Sequence, residues 1–304
     1  MVVEEVRRQE EIARHARAVA LAKQGRWVNW ESVENRKLSW SEIWGMESNR
    51  LCFIIRATYD VLPSPINLQL WFGKDPSCPL CTVPATLKHI LVGCRTSLTQ
   101  GRYTWTHNQV LRCLAEKVEC KRKSINPQPF TNQEERQFSS TFVREGDKPR
   151  TSPSNPDLGP LKAARYWQIQ VHLDQRLIFP TEIVTTTLRP DLVLWSNSQK
   201  LAYVIELTVP WEEAIEEAFE RKKLRYANLA AEAEDRGWKI KVRQVEVGCR
   251  GFVVSTTAKL LREIGIRGQA QRQAIRDLAN TAERASHWLW LKRANITWAP
   301  KAVS

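Results

Sequence analysis

The spacing of apolar and polar positions divides the chain into two patterned stretches around an unpatterned one. Residues 3 to 25 alternate charged and apolar positions at helical spacing and end near Gly25, which predicts a charged amphipathic helix. Residues 26 to 72 hold the apolar patch "LCFIIRATYDVL" and five of the thirteen tryptophans, and read as a compact helical region closed by a turn at "LPSPIN". A Cys/His segment follows over 73–95, then a helix over about 101–120. Residues 121–160 have no periodicity and carry six of the fifteen prolines, which predicts a linker, because that backbone propagates neither helix nor sheet. Beyond it the spacing predicts a helix in "LKAARYWQIQVHLDQ", strands in "DLVLW" and "LAYVIELTV" joined by the polar turn "SNSQK", a long helix from Pro210 to Gly237, a strand in "KIKVRQVEV" and two C-terminal helices. Strands alternating with helices make this part an α/β domain. The expected division is 1–72, 73–120, 121–160 and 161–304, with no internal repeat.

Composition narrows the class. At 304 residues, 42% hydrophobic and 26% charged, the chain is long enough for a sizeable core. Its 46 Lys+Arg against 33 Asp+Glu give a formal charge of +13, which points to a polyanion partner. A membrane partner is not expected, since no apolar run approaches the ~20 residues that span a bilayer. The charged N-terminus does not read as a signal peptide. Seven cysteines, an odd number with three of them clustered near a histidine, fit a reducing compartment and metal binding better than a disulfide framework.

The metal reading rests on "CPLCTVPATLKHILVGC". Its spacing, C-x2-C-x7-H-x4-C, sets Cys78, Cys81, His89 and Cys94 as four ligands. A C-x2-C turn directs two sulfurs to one tetrahedral ion, and the downstream His and Cys close the shell. A complete N/S set with no open position implies a structural zinc. His107, in "WTHNQV", reads as a surface or nucleic-acid contact rather than a fifth ligand.

A second constellation lies in the strands. In "LAYVIELTV", Leu201, Tyr203, Ile205, Leu207 and Val209 line one face, and Ala202, Val204, Glu206 and Thr208 the other. Both faces are largely apolar, so the strand is expected to be central and buried on both sides. An ionised glutamate there is costly unless paired or metal-bound. Asp191, opening the neighbouring strand, is the natural second ligand, and two such carboxylates favour Mg²⁺ or a similar oxygen-preferring ion. Thr208 stands where a lysine would serve such a centre. The following helix has an apolar stripe of Ile215, Ala218, Phe219, Tyr226, Leu229, Ala230 and Ala233, interrupted by Lys222, whose ammonium could reach the carboxylates. The plainer alternatives are a buried Glu satisfied by local donors and a lysine extended to water.

These residues resemble a known family. "RPDLVLW…YVIELT" is similar to the PD-(D/E)xK nuclease core with its lysine replaced by Thr208. The Cys/His spacing followed by "GRYTWTHNQVL", and the preceding "FIIRATYDVLPSPINLQLW", resemble the region between reverse transcriptase and the restriction-like endonuclease of certain non-LTR retrotransposons. The resemblance covers roughly residues 25 to 295. It implies a restriction-endonuclease-like fold, a mixed sheet flanked by helices and preceded by a small helical zinc-knuckle region. It further implies that the catalytic lysine moves to the helix after the second strand, with a tyrosine one turn later, positions that fall on Lys222 and Tyr226. Such enzymes nick target DNA with Mg²⁺ or Mn²⁺, and the nick primes reverse transcription. The implied partners are DNA and element RNA, and the implied location is nuclear after cytoplasmic synthesis. No YxDD-type aspartate pair occurs in the sequence, so the resemblance implies a chain that is normally joined to a reverse transcriptase or has separated from one. Arg102, His107, Arg272 and Arg276 are the expected nucleic-acid contacts, Arg272 and Arg276 lying off the apolar stripe of "GQAQRQAIRDLANTAERASHWLWLKR". The alternatives are a catalytically silent nucleic-acid-binding remnant, or domesticated copy, and a plain interaction scaffold. The scaffold leaves the pattern of Asp191, Glu206 and Lys222 unexplained.

Overall fold

The computed structural model describes residues 2–20, 33–34, 38–126, 161, 166–173, 177–214 and 225–298. Most of the Pro-rich stretch, the first part of the helix expected after Pro210, and Lys222 itself lie outside the described residues. Among the described residues the architecture is mixed α/β, an open four-stranded sheet with helices against it. No described helix is long and apolar enough to cross a membrane.

The N-terminal part is helical: α1 (Val2–Ala20), α2 (Trp40–Trp44), α3 (Ser48–Thr58) and α4 (Pro65–Phe72). The turn at "LPSPIN" is the start signal of α4. Ser64 caps it by accepting from Asn67 N, Pro65 sits in its first turn, and Gly73 ends it at φ 66°, in the left-handed region that glycine tolerates. After a π-helical turn at His89–Gly93 come α5 (Arg95–Thr99) and the long α6 (Arg102–Ile125). The last helix runs beyond the expected 120. Its end is held by Arg122, which pairs with Glu119 at 2.6 Å, and by Asn126, which donates to Trp167 O and accepts from Trp167 N, both at 2.9 Å.

The sheet order is β1 (Gln168–Val171), β2 (Leu192–Ser196), β3 (Leu201–Thr208) and β4 (Lys239–Glu246). β1–β2 and β2–β3 are antiparallel, and β3–β4 is parallel. β1 corrects the sequence reading, which placed a helix over 161–175. The tetrad Gln-Ile-Gln-Val alternates polar and apolar, so as a strand it sends Ile169 and Val171 to the core and supplies hydrogen bonds to β2. Pairing with a waiting strand edge outweighs helix propensity over so short a run.

β3 is a central strand, buried from Ala202 to Leu207 and partly exposed only at its two end residues, as its two apolar faces require. Tyr203, Ile205 and Leu207 meet Leu192 and Leu194 on one face, under Leu111, Leu114 and Val118 of α6 and the C-terminal helices α8 (Ser255–Glu263) and α9 (Gly268–Leu291). Ala202 and Val204 face Tyr226, Leu229 and Ala233 of the segment carrying α7 (Ala227–Asp235). Each fully buried Leu, Ile or Val contributes roughly 1.5–3 kcal/mol. On α9 the stripe residues Leu278, Ala282, Ala285 and Leu289 are buried, and Ile275 packs at its margin.

α6 therefore forms a layer on the sheet as well as following the Cys/His segment. A second core joins that segment to the rest: Cys78, Leu87, Ile90 and Cys94 pack with Phe53, Leu289 and Trp290, and with Trp211 and Cys249 near the ends of β3 and β4. The buried pair Arg250–Glu212, at 2.8 Å, ties the same region together, because Arg250 also donates to Ala57 O and stacks 4.0 Å from the Trp211 ring centre.

Candidate functional site

The Cys/His segment folds into a tight cluster. Thr82 N donates to Cys78 O at 3.0 Å and Cys78 N to Val83 O at 2.8 Å, closing the C-x2-C turn, with Thr82 at φ 61°. Thr86 Oγ1 then accepts from His89 N at 3.2 Å and starts the helical turn that presents the histidine. The ligand atoms of Cys78, Cys81, His89 and Cys94 all lie within 4.8 Å of one another. The two buried sulfurs, Cys78 and Cys94, are 3.9 Å apart, too far for a disulfide. That spacing is close to the edge of about 3.8 Å that a tetrahedron with zinc–sulfur bonds of ~2.3 Å would have. Burial holds His89 below the usual histidine range, which favours the neutral imidazole that binds metals. The cluster can hold a metal ion such as zinc.

The carboxylates meet through sheet register. Leu192 pairs with Ile205, so one further step sets Asp191 beside Glu206 at the sheet end, and Gln244 of β4 continues the row. On the other side His172 N donates to Asp191 O at 2.7 Å. Both carboxylates are buried and have defined partners. Asp191 Oδ2 accepts from Leu207 N at 2.7 Å, and Glu206 Oε1 accepts a short hydrogen bond from the Tyr226 hydroxyl. Burial, together with the Glu206 charge and hydrogen bond, drives the Tyr226 hydroxyl well above the usual tyrosine range, so it remains a donor. The buried glutamate in an apolar strand is thus matched by a buried tyrosine, avoiding the several kcal/mol that an unpaired charge would cost.

Sequence reasoning named His107 as a surface or nucleic-acid contact and did not place it beside Asp191. His107 is half-buried and reaches a carboxylate: its Nε2 lies 3.4 Å from Asp191 Oδ2 and 3.3 Å from Leu207 O. No local spacing signals this, because α6 reaches the end of β3 by packing. The neighbourhood also holds buried polar atoms without a hydrogen-bond partner among the described residues, His172 Nδ1 and Thr208 Oγ1. An open groove of about 360 Å³ runs alongside, lined by Leu98, Tyr103, His107, Thr208 and Pro210 among others.

The expected nucleic-acid contacts separate. Arg102 is a correction: it is buried, donates to Gln100 Oε1 and to the carbonyls of Lys292 and Asn295, and lies over Trp298, so it fastens the end of α9 instead of facing a ligand. Arg272 is exposed. Arg276 is exposed too, and pairs with Glu42 at 3.2 Å.

Among the described residues, the Cys/His cluster is the group in which three or more His, Cys, Asp or Glu ligand atoms gather within 4.8 Å. Asp191 and Glu206 do not collect a third such side chain at that distance. Comparison with protein families finds no matching family model, and comparison with curated proteins finds no match.

Proposed function

We propose that the chain is a divalent-metal-dependent DNA endonuclease with a restriction-endonuclease-like core, and that its Cys/His cluster carries a structural zinc. The observation that carries this reading is the juxtaposition of Asp191 and Glu206 on adjacent strands of a mixed sheet, at the end that the groove approaches. The charge of +13 and the resemblance of the ordered motifs to the C-terminal region of non-LTR retrotransposon proteins support it. Carboxylate oxygens are the donors that a hard divalent ion prefers. Asp191 and Glu206 would hold Mg²⁺ or Mn²⁺, which when bound supplies an activated water and charge stabilisation at phosphate. Leu207 N orients Asp191, and Tyr226 orients Glu206. Lys222 would offset charge on the phosphate or orient the water. Arg272 and neighbouring basic residues of α9 would contact the backbone of DNA, with affinity falling steeply as salt rises. In this reading the protein acts in the nucleus, with element RNA as a second partner and a reverse transcriptase joined to it or supplied beside it.

The test is nicking of supercoiled plasmid with Mg²⁺ or Mn²⁺ against a chelated control. Asp191→Ala and Glu206→Ala should abolish nicking, Lys222→Ala should suppress it, and Lys223→Ala should leave it intact. Equal cutting by Asp191→Ala protein sinks the assigned centre. The second reading is a nucleic-acid-binding protein that does not cut. It is favoured by the engagement of Glu206 with Tyr226 and by the lack, among the described residues, of a third acidic or histidine ligand close to both carboxylates. Salt-sensitive DNA binding without cleavage under either metal selects that reading.

A further inference from the structure

α6 starts just after the Cys/His segment and packs on the sheet, so it physically joins the two candidate metal centres. Its first turn is tied to the cluster through Tyr103, whose hydroxyl accepts from Cys94 N at 2.8 Å and lies 3.2 and 3.1 Å from the carbonyls of His89 and Ile90. His107 is four residues on, and so on the same face of the helix. Its Nε2 faces two oxygens, Asp191 Oδ2 at 3.4 Å and Leu207 O at 3.3 Å. Neither oxygen is loosely placed, because Leu207 N binds Asp191 Oδ2 at 2.7 Å and Leu207 O belongs to the central strand.

The nitrogen therefore stands from each of the two oxygens at a spacing that two ligands of one ion would have. For bonds of about 2.1 Å, adjacent ligands stand roughly 3.0 Å apart in an octahedron and roughly 3.5 Å apart in a tetrahedron. The observed 3.3 and 3.4 Å fall between these values. Without an ion, Nε2 must turn an N–H toward the two acceptors. Ligation instead needs the proton on Nδ1, and Asn108 Oδ1 lies 3.4 Å from Nδ1 to receive it. The groove at His107 and Thr208 supplies an entry path from solvent.

We propose that His107 Nε2, with Asp191 Oδ2 and Leu207 O, is a ligand of a divalent ion at Asp191, a set that leaves Glu206 outside because its ligand atom does not gather with those of His107 and Asp191 within 4.8 Å, so that the helix anchored by the Cys/His cluster contributes directly to the centre on the sheet. This rests on the metal-dependent reading above and extends it with a metal preference. An imidazole in an otherwise oxygen set favours Mn²⁺ and similar transition ions over Mg²⁺. It also explains why a residue outside the strands and outside the PD-(D/E)xK pattern should matter to the centre.

The experiment uses the full chain with its Cys/His cluster loaded with zinc. Mn²⁺ is titrated in and free Mn²⁺ followed by electron paramagnetic resonance, and the bound ion is examined for spin-echo modulation from imidazole ¹⁴N. Wild type should show the modulation. His107→Ala should lose it, bind Mn²⁺ about tenfold or more weakly, and change little toward Mg²⁺, with zinc content unaltered. His107→Gln, which keeps a polar side chain on α6, should give the same loss of modulation with an unchanged thermal melt. Persistence of the modulation in both variants, or Mn²⁺ affinity unchanged in both yet lost in Asp191→Ala, overturns the His107 assignment while leaving the metal-dependent reading standing. A wild-type protein that binds no Mn²⁺ at all overturns both.

Discussion

The Cys/His cluster draws its ligands from one short run of chain, Cys78 to Cys94, whereas the carboxylate row is assembled from elements far apart in sequence, with His107 and Leu207 separated by 100 residues. In the first region the backbone turns locally, at the Cys78–Val83 turn and at Thr86, and those turns aim the first three ligands, with Cys94 held from the start of α6 by Tyr103. In the second, no turn suffices. Strand register sets Asp191 beside Glu206, helix packing brings Tyr226 and His107 to them, and each carboxylate is held by a group that its own neighbours in sequence do not provide. A locally built centre can form and fail largely by itself, while a centre built from register and packing depends on the whole core.

The shared core between the two regions tests how far that contrast goes. Removing zinc by chelation, or replacing Cys81 with Ser, should have the largest effect, since metal-binding free energy at such sites is on the order of 10 kcal/mol. The purified protein should hold about one zinc per chain. Because Cys78 and Cys94 pack with Trp211, Leu289 and Trp290, chelation should lower the melting transition of the sheet as well as loosen residues 73 to 120. A sheet transition unmoved by chelation would show that the regions are energetically separate. Next is the buried pair that bridges them: Arg250→Ala, which strands Glu212, should cost about 3–5 kcal/mol in chemical denaturation.

Two smaller changes sharpen the account of the carboxylate row. Tyr226→Phe removes the donor from Glu206 and should destabilise by about 1–3 kcal/mol, with no change in zinc content. If stability is unchanged, another donor satisfies Glu206 in solution. Thr208→Val should be neutral or stabilise by up to about 1 kcal/mol, because the buried Thr208 hydroxyl has no hydrogen-bond partner among the described residues and loses nothing there when it becomes a methyl. A clear loss of stability would mean that the hydroxyl is bonded after all.

The sequence by itself determined what depends on near neighbours. The ligand spacing at Cys78, Cys81, His89 and Cys94 was legible because four residue types within a few turns of backbone converge whatever surrounds them. The centrality of β3 was legible from its two apolar faces, and so was the buried stripe of α9, because periodicity reports burial directly. Asp191 and Glu206 could be paired in sequence because a short turn joins their strands and fixes the register. Only the tertiary structure decided the rest. It made an edge strand of Gln168–Val171, where a four-residue propensity yields to an available partner, and it buried Arg102 against the carbonyls that end α9. It also set His107, expected as a surface or nucleic-acid contact, beside Asp191. The physical reason is common to all three. Each depends on which surface a distant element presents, and a contact of that kind leaves no periodicity or spacing in the stretch of chain that makes it.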